Sequence, residues 1–152
     1  PYIAQLGPDI ADLLTTVAEV RAHIDEARFQ RRGLAGPMLD QRFLAGVGNY
    51  LRSEILFEAG LDPTRRLGQL NASEKDALAD AAMIITRRAY HQKGVTVDLE
   101  TYQIMRESGV ARRSARHYVF HRDGMACHRC QSTIVHGRVG GRRLDVCPAC
   151  QT

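Results

Sequence analysis

The chain has 152 residues, of which 44% are hydrophobic, so it can bury one ordinary core with at most a small satellite. No stretch approaches the roughly 20 apolar residues that span a bilayer, and the first residues lack the pattern of a signal peptide. We therefore exclude a membrane protein and expect a soluble, cytoplasmic one. Residues 1–93 hold twelve basic and twelve acidic residues, whereas residues 106–143 hold nine arginines and two acidic residues. The cationic end suits a nucleic-acid partner, although solvated arginines explain it equally well.

The chain begins with a segment typical of a linker. Residues 1–14 contain Pro8, which favours extended backbone in the residue before it, and we interpret them as the end of an interdomain linker. A helical domain is predicted over residues 15–93 because apolar side chains recur there with helical spacing. Its first helix is predicted from Val17 to Ile24.

Two further helical patterns lie in residues 38–60, on either side of a turn marked by glycines. The last helix of the domain is predicted to begin at Asn71, because an asparagine followed three residues later by Glu74 can form a capping box. It is predicted to end at Gly94. One face of this helix carries apolar residues that we expect to be buried: Leu78, Ala81, Ala82, Ile85 and Ala89.

Helical periodicity fades in residues 94–117, where glycine and arginine become more frequent. We predict a connector rich in loops there. Beyond the connector, strand-like residues occur in Tyr118–Phe120, Ile134–Val135 and Leu144–Val146. A pair of glycines at 140–141 lies between the last two of these runs and favours a turn.

Two Cys-x-x-Cys pairs, separated by sixteen residues, contain all the cysteines of the chain: Cys127 with Cys130, and Cys147 with Cys150. Such pairs bring four thiolates to one tetrahedral ion, and the spacing favours Zn²⁺ over two disulfides or four free thiols. Four protein ligands leave no position for water, so we expect the zinc to be structural. A finger over residues 118–152 is too short to fold on apolar burial alone. We expect zinc to stabilise it as a core separate from that of the helices.

The segment between the two cysteine pairs can return as a hairpin with its tip at residues 138–143. Two glycines at this tip permit a tight turn, and Arg138, Arg142 and Arg143 flank them. Guanidinium groups in this position can clamp a phosphate or enter a groove. A solvated basic turn is the alternative interpretation.

A second candidate phosphate site lies at the turn before the third helical pattern. Gly46 and Gly48 break the helical spacing and leave no side chain that would block the approach of another backbone. A helix then begins near Asn49, and its unpaired amides and positive dipole end, together with the Asn49 side chain, suit a phosphate. An ordinary helical hairpin with glycines for packing explains the local sequence equally well.

These motifs resemble a known family. Residues 39–41 (Leu-Asp-Gln), 45–49 (Ala-Gly-Val-Gly-Asn) and 52–56 (Arg-Ser-Glu-Ile-Leu) resemble the helix-two-turns-helix motif of the formamidopyrimidine-DNA glycosylase and endonuclease VIII family. Residues 120–124, the cysteine pairs and Gln151 resemble the terminal zinc finger of that family, with endonuclease VIII the nearer relative. The resemblance implies a mainly α fold, in which a helix-two-turns-helix bundle is followed by a small β-hairpin zinc finger.

The resemblance also implies a function and a partner. It implies the DNA-binding part of a base-excision-repair DNA glycosylase/AP lyase, acting as a monomer on damaged double-stranded DNA in the bacterial cytoplasm, at the nucleoid. Asn49 and Arg142 would grip phosphates around a nucleotide that has been turned out of the duplex, and Gly48 would allow the close approach. Arg52 matches a basic position of the endonuclease VIII branch, and the neighbouring Arg143 is a further DNA-binding candidate.

Catalysis in this family resembles attack on the sugar by an amino-terminal proline, beside a glutamate, on a preceding β-rich domain. Pro1 is followed by no carboxylate, so we interpret it as a linker residue and the catalytic domain as absent from this chain. Lys75 and Lys93 are expected to be protonated ammonium groups. We therefore predict no catalytic residue here and expect the chain alone to be inactive.

Two other classes of protein are compatible with the sequence. A non-catalytic, zinc-containing nucleic-acid-binding protein, such as an RNA or ribosome binder, would account for the arginines and the helix-two-turns-helix motif, although the zinc finger argues against it. A zinc ribbon that binds other proteins would account for the cysteines, although the density of arginines disfavours it.

Overall fold

A computed structural model describes residues 2–152, and the side chains of residues 4–152. The prediction for Pro1 therefore lies outside the described residues. Over the described range the helices are α1 (Val17–Ile24), α2 (Asn49–Ala59), α3 (Ala72–His91), α4 (Leu99–Glu107) and α5 (Arg112–Ala115), and the strands are β1 (Val135–Val139) and β2 (Arg142–Val146). The predicted fold class, a mainly α bundle followed by a small β-hairpin, is confirmed. None of the helices seen here combines the length and the apolar content that a membrane span requires.

The helices α1 and α3 begin at the residues that the sequence indicates. Thr16 caps α1 by a capping box with Glu19, and Asn71 does the same for α3 with Glu74. The predicted apolar face of α3 is buried at all five positions. After α3 the chain leaves the helical conformation, and Gly94 has a φ of +88° that favours glycine.

Only the second of the two helical patterns in residues 38–60 forms an α-helix, which is α2. The prediction of a helix for the first pattern is wrong. That segment forms a short 3₁₀ turn, Pro37–Leu39, followed by irregular turns. The amino-terminal segment lies along this stretch and forms backbone hydrogen bonds with it. Gly7 N–H donates to the Gln41 carbonyl (2.9 Å), and Ala45 N–H donates to the Pro8 carbonyl (3.0 Å). These backbone groups are thus bonded to a neighbouring segment and not within a helix.

The connector predicted to be rich in loops contains the helices α4 and α5 instead. Asp98 caps α4 by accepting from the Thr101 N–H at 2.9 Å. The connector leaves and rejoins the core at one place, where Thr96 N–H donates to the Arg116 carbonyl at 2.9 Å. No residue of α4 is buried, so this helix lies on the surface of the fold.

The strands β1 and β2 form the antiparallel hairpin that the sequence indicates, with Val139 opposite Arg142. Gly140 and Gly141 form its two-residue turn with φ values of +61° and +74°, which is the conformation that favours glycine at both positions. The hairpin packs on α2, and Leu144 belongs to the same continuous apolar core as the helices. The expectation of separate cores is therefore wrong.

Candidate metal centre and nucleic-acid interface

The cysteines form one cluster. The four Sγ atoms of Cys127, Cys130, Cys147 and Cys150 all lie within 4.8 Å of one another, and none is in a disulfide. Two of the Sγ–Sγ distances are 3.9 Å (Cys127 to Cys150) and 3.4 Å (Cys130 to Cys147). A tetrahedral zinc ion with Zn–S bonds of about 2.3 Å requires separations of about 3.8 Å. The predicted ligands are thus brought together in an arrangement that fits a metal ion.

Groups around the cysteines support this arrangement. The Arg129 N–H donates to Cys127 Sγ at 3.4 Å, and hydrogen bonds from Ser132 lower the pKa of Cys130 to about 6, whereas burial raises the pKa of Cys147 and Cys150, so a cation is required to hold all four as thiolates. Gln151 joins the second cysteine pair to the end of α2. Its Oε1 accepts from Cys147 N–H (2.9 Å) and its Nε2 donates to the Leu61 carbonyl (3.1 Å).

The turn before α2 is held by the side chain of Gln41. Its Oε1 accepts from the Gly46 N–H (2.9 Å), and its Nε2 donates to the Val47 carbonyl (3.2 Å). Gly46 has a φ of +91°, a conformation that side chains rarely adopt. The preceding Asp40 is hydrogen-bonded to Arg42, which holds the pKa of its carboxyl well below the usual range. The Leu-Asp-Gln element therefore shapes the turn.

The turn presents the start of α2 to open space. Gly48 precedes the helix with a φ of −101°, and no side chain of the described residues caps the first turn. A Cβ atom at Gly48 would meet nothing within 4 Å. The packing of the protein itself therefore does not require glycine here. The exposed amides and the positive end of the helix dipole make this position suitable for an anion.

Arg52 lies below this surface and joins the turn to the hairpin. It is fully buried. Its Nη1 donates to the Ala35 carbonyl (3.0 Å), and its Nη2 lies within hydrogen-bond distance of Asn49 Oδ1 (3.1 Å) and of the Arg142 (3.3 Å) and Arg143 (3.0 Å) carbonyls. A side chain buried in this way has no surface to offer to DNA. The expectation that Arg52 binds DNA stays a prediction, and its burial in this structure favours an indirect role.

The two arginines of the hairpin tip differ in their surroundings. The Arg143 Nε donates to Asp145 Oδ2 (2.8 Å) and its Nη2 to Asp123, so its charge is already paired. Arg142 is exposed and, among the residues that the structure describes, forms no side-chain ion pair. Of the two, Arg142 is the one whose guanidinium is available to an outside anion.

Sequence reasoning missed Glu54, a fully buried carboxylate on α2. It accepts backbone N–H bonds from Tyr118 (2.7 Å), Val119 (2.8 Å) and Phe120 (2.9 Å), and a hydroxyl bond from Thr96 (2.6 Å). The strand predicted at Tyr118–Phe120 is therefore wrong, because its amides are bonded to a carboxylate and not to a neighbouring strand. Burial raises the pKa of Glu54, and these four hydrogen bonds oppose the rise.

His117 extends this buried group. Its Nδ1 lies 3.0 Å from Thr96 Oγ1, and burial lowers its pKa to about 3, so the ring is neutral at physiological pH. Glu54, Thr96 and His117 together fix the place where the connector joins the finger. The signal available in the sequence was an acidic residue directly before the apolar Ile55 and Leu56 of α2, since a buried carboxylate is rare unless it is paired.

The fold and the site together define a class of protein: a helix-two-turns-helix domain joined to a four-cysteine hairpin. The sequence model described as "Formamidopyrimidine-DNA glycosylase H2TH domain" matches residues 6–101, and the chain belongs to this family. Endonuclease 8 of Klebsiella pneumoniae (strain 342) is 40% identical over 151 residues, which are 99% of this chain and 54% of the relative. Endonuclease 8 of Enterobacter sp. (strain 638) is 39% identical with the same coverage. The chain thus spans about half the length of the curated relatives it matches.

Solved structures agree with this assignment. The MutM (Fpg) protein of Thermus thermophilus superposes with a TM-score of 0.76 at 28% identity, over 99% of this chain and 55% of that one. The Lactococcus lactis Fpg in complex with DNA containing an abasic site gives a TM-score of 0.76 at 25% identity, over 99% and 54% of the two chains. The identities to the two Endonuclease 8 sequences are higher, which agrees with the predicted resemblance to endonuclease VIII.

Proposed function

We propose that the chain is the DNA-binding part of a bacterial DNA glycosylase/AP lyase and that it grips phosphates around a damaged nucleotide turned out of the duplex. The family assignment and the relative crystallised with abasic DNA support this proposal. Coverage of about half of each relative is compatible with a catalytic domain that is not contained in these residues. We further propose that it acts as a monomer, in the cytoplasm and at the nucleoid.

One observation supports the proposal: Asn49 and the backbone of Arg142, 93 positions apart in the chain, are neighbours around Arg52. A single nitrogen, Arg52 Nη2, lies 3.1 Å from Asn49 Oδ1 and 3.3 Å from the Arg142 carbonyl. The backbone of Arg142, whose side chain is exposed, is therefore a neighbour of Asn49 and of the open amino end of α2 at Gly48. Together they offer the donors that phosphate oxygens require.

We also propose that the cysteine cluster holds zinc in a structural role. Cys127, Cys130, Cys147 and Cys150 would supply all four ligands, and the ion would stabilise the turns that carry them. A structural ion has no part in the reaction. Its proposed contribution to DNA binding is to hold β2, and with it Arg142, against α2.

The phosphate contacts are tested by substituting Asn49→Ala and Arg142→Ala and measuring affinity by fluorescence anisotropy. The probe is a duplex containing a tetrahydrofuran abasic analogue. We expect both substitutions to weaken binding by similar factors on any duplex sequence. Only Arg142→Ala removes a charge, so it alone should reduce the dependence of log affinity on log salt, by about one unit.

The matched control is Arg28→Ala, because Arg28 is an arginine already paired with Glu26 at 2.7 Å. It should leave the affinity nearly unchanged. A salt dependence that is the same for Arg142→Ala and for the unaltered protein would contradict the proposed role of Arg142. Affinities unchanged by both site substitutions would contradict the proposed function as a whole.

We propose that these residues bind DNA but carry no glycosylase or lyase activity. Lys75 Nζ is paired with Asp25 at 2.8 Å, and Lys93 lies just beyond the end of α3. A Schiff base needs a free amine held beside the sugar, and neither lysine contacts Asn49 or Arg142 in any described hydrogen bond or ion pair. Incubation with abasic DNA and borohydride should give no crosslinked product, whereas a crosslink abolished by Pro1→Gly would contradict this expectation.

A further inference from the structure

Arg52 is a buried cation without a carboxylate partner. Its guanidinium is completely inaccessible to solvent, and each of its hydrogen-bond acceptors within the described chain is a neutral oxygen. Its Nε has no acceptor among the same residues. A buried charge is unfavourable unless an opposite charge or several hydrogen bonds compensate it. Carbonyl and amide oxygens compensate Arg52 only in part.

The second feature is the orientation that Arg52 imposes on Asn49. A guanidinium can donate hydrogen bonds but cannot accept them. The atom of the Asn49 amide that faces Arg52 Nη2 at 3.1 Å must therefore be the oxygen, as the structure has it. The amide nitrogen of Asn49 is then left to donate elsewhere, and donation is what a phosphate oxygen requires.

The third feature is the contact of Arg52 with the hairpin. Its Nη2 approaches the Arg142 and Arg143 carbonyls at 3.3 and 3.0 Å, which are the first two residues of β2. Through these carbonyls Arg52 fixes the backbone from which the exposed Arg142 side chain extends. The same nitrogen thus acts on both of the proposed phosphate contacts.

We propose that Arg52 is a positioning residue of the DNA site: it orients Asn49 and places Arg142 without touching DNA, and the phosphate supplies the negative charge that Arg52 lacks. This inference rests on the proposed function. Its consequence is that Asn49 and Arg142 act as one unit, since both depend on the same guanidinium. Their contributions to DNA affinity should then be coupled and not additive.

The test is a set of double-mutant cycles on affinity for the abasic-analogue duplex, with Arg52→Met and Arg52→Lys. Arg52→Lys keeps the charge but cannot reach three oxygens in fixed directions, so we expect it to weaken binding about tenfold. In the Arg52→Met background, adding Asn49→Ala or Arg142→Ala should cause a much smaller further loss than in the unaltered protein. Thermal unfolding of each variant shows whether the fold is kept, and Arg52→Lys carries the test where Arg52→Met does not fold.

Arg88→Met is the matched control. The Arg88 guanidinium also donates to a backbone carbonyl, that of Thr96 at 2.9 Å, in a partly buried position, but it contacts neither Asn49 nor Arg142. A purely structural effect of losing a guanidinium should appear equally there, with additive behaviour toward Asn49→Ala. Additive behaviour of Arg52→Lys and Arg52→Met with Asn49→Ala would overturn the inference. Failure of the proposed function looks different, since Asn49→Ala and Arg142→Ala would then have no effect in the unaltered protein.

Discussion

At the scale of single residues, Glu54 is the side chain on which the join between helices and finger depends. The substitution Glu54→Gln replaces one carboxylate oxygen by an NH₂ group. The backbone N–H or hydroxyl groups that donate to that oxygen would then have no acceptor. Leaving buried donors unpaired should lower the free energy of unfolding by about 3 kcal/mol. Urea unfolding followed by circular dichroism measures this loss.

Glu58, one turn later on α2, provides the control for this prediction. Its carboxylate is paired at 2.6 Å with Arg129, whose side chain is partly exposed to solvent. Glu58→Gln should therefore change the free energy of unfolding by less than about 1 kcal/mol. Equal losses for Glu54→Gln and Glu58→Gln would show that the buried hydrogen bonds of Glu54 add little to stability.

His117 makes stability depend on pH. Its pKa is about 3 in the folded protein against an ordinary value of 6.5, so below pH 6.5 the unfolded chain takes up a proton that the folded protein does not. The contribution of His117 is thus fully present above pH 6.5 and is lost as the pH falls toward 3. Between pH 7 and 5 the unaltered protein should lose about 1–2 kcal/mol more than His117→Gln. Parallel pH profiles for the two proteins, measured by urea unfolding in the presence of zinc, would contradict this assignment.

The sequence indicated the roles of some site residues and not of others for a physical reason. The cysteine cluster could be predicted because it follows from the local spacing of two Cys-x-x-Cys pairs, and the start of α2 at Asn49 follows from the glycines before it. The surroundings of Arg52 and Arg143 did not follow from the sequence, because a guanidinium has the same sequence signature whether it is buried or exposed. The Arg52 guanidinium donates to carbonyls 90 and 91 residues away in the chain, and the charge of Arg143 is paired with that of Asp123, 20 residues away. Neither partner follows from local pattern.

At the scale of elements, the turn before α2 contains two glycines that should behave differently. Gly46 has a φ of +91°, and a Cβ there would lie 3.2 Å from Asp9 Oδ1. Gly46→Ala should therefore destabilise the protein by about 1–3 kcal/mol. Gly48 has a φ of −101° and open space around it, so Gly48→Ala should leave the free energy of unfolding within about 0.5 kcal/mol.

The same pair separates packing from DNA contact. On the proposed function, a methyl group at Gly48 stands at the helix end that receives a phosphate, so Gly48→Ala should lower DNA affinity severalfold although the fold is unchanged. Thermal unfolding and anisotropy on the same samples measure the two quantities. Full DNA affinity in Gly48→Ala would remove Gly48 from the proposed interface.

The helix α4 shows why element prediction failed in the connector. Hydrophobic periodicity reveals a helix through the face that it buries, and α4 buries no residue fully: only Tyr102 and Met105 pack, partly buried, against the core. Leu99 and Ile104 are 54% and 60% exposed. Asp98 caps α4 in the structure, but the helical pattern is short and lies in a segment rich in glycine and arginine, which favoured a loop. In α1 and α3, where a cap and an apolar face coincide, the prediction was correct.

At the scale of the whole molecule, the metal should stabilise more than the finger. Metal analysis of the purified protein should give one zinc per chain, and Cys147→Ser should abolish it. Because Ile134, Leu144 and Cys147 share one core with α2 and α3, loss of the metal exposes apolar surface of the helices as well. The helical melting temperature should therefore fall by at least about 5 °C. An unchanged helical melting temperature in Cys147→Ser would show that the finger unfolds independently.

The finger is attached near both ends of α2, through Arg52 to the β2 carbonyls at the start and through Gln151 to the Leu61 carbonyl beyond the end. Two attachments along one helix remove the freedom of the hairpin to swing. The distance between the amino end of α2 and the start of β2 at Arg142 is then fixed in the protein without DNA. On the function proposed above, it is the DNA that must change shape. Bending an intact duplex costs elastic free energy, and a duplex whose base stacking is interrupted bends at a lower cost. On that proposal, two fixed contacts would favour damaged sites because these bend more easily, without contact to the damaged base.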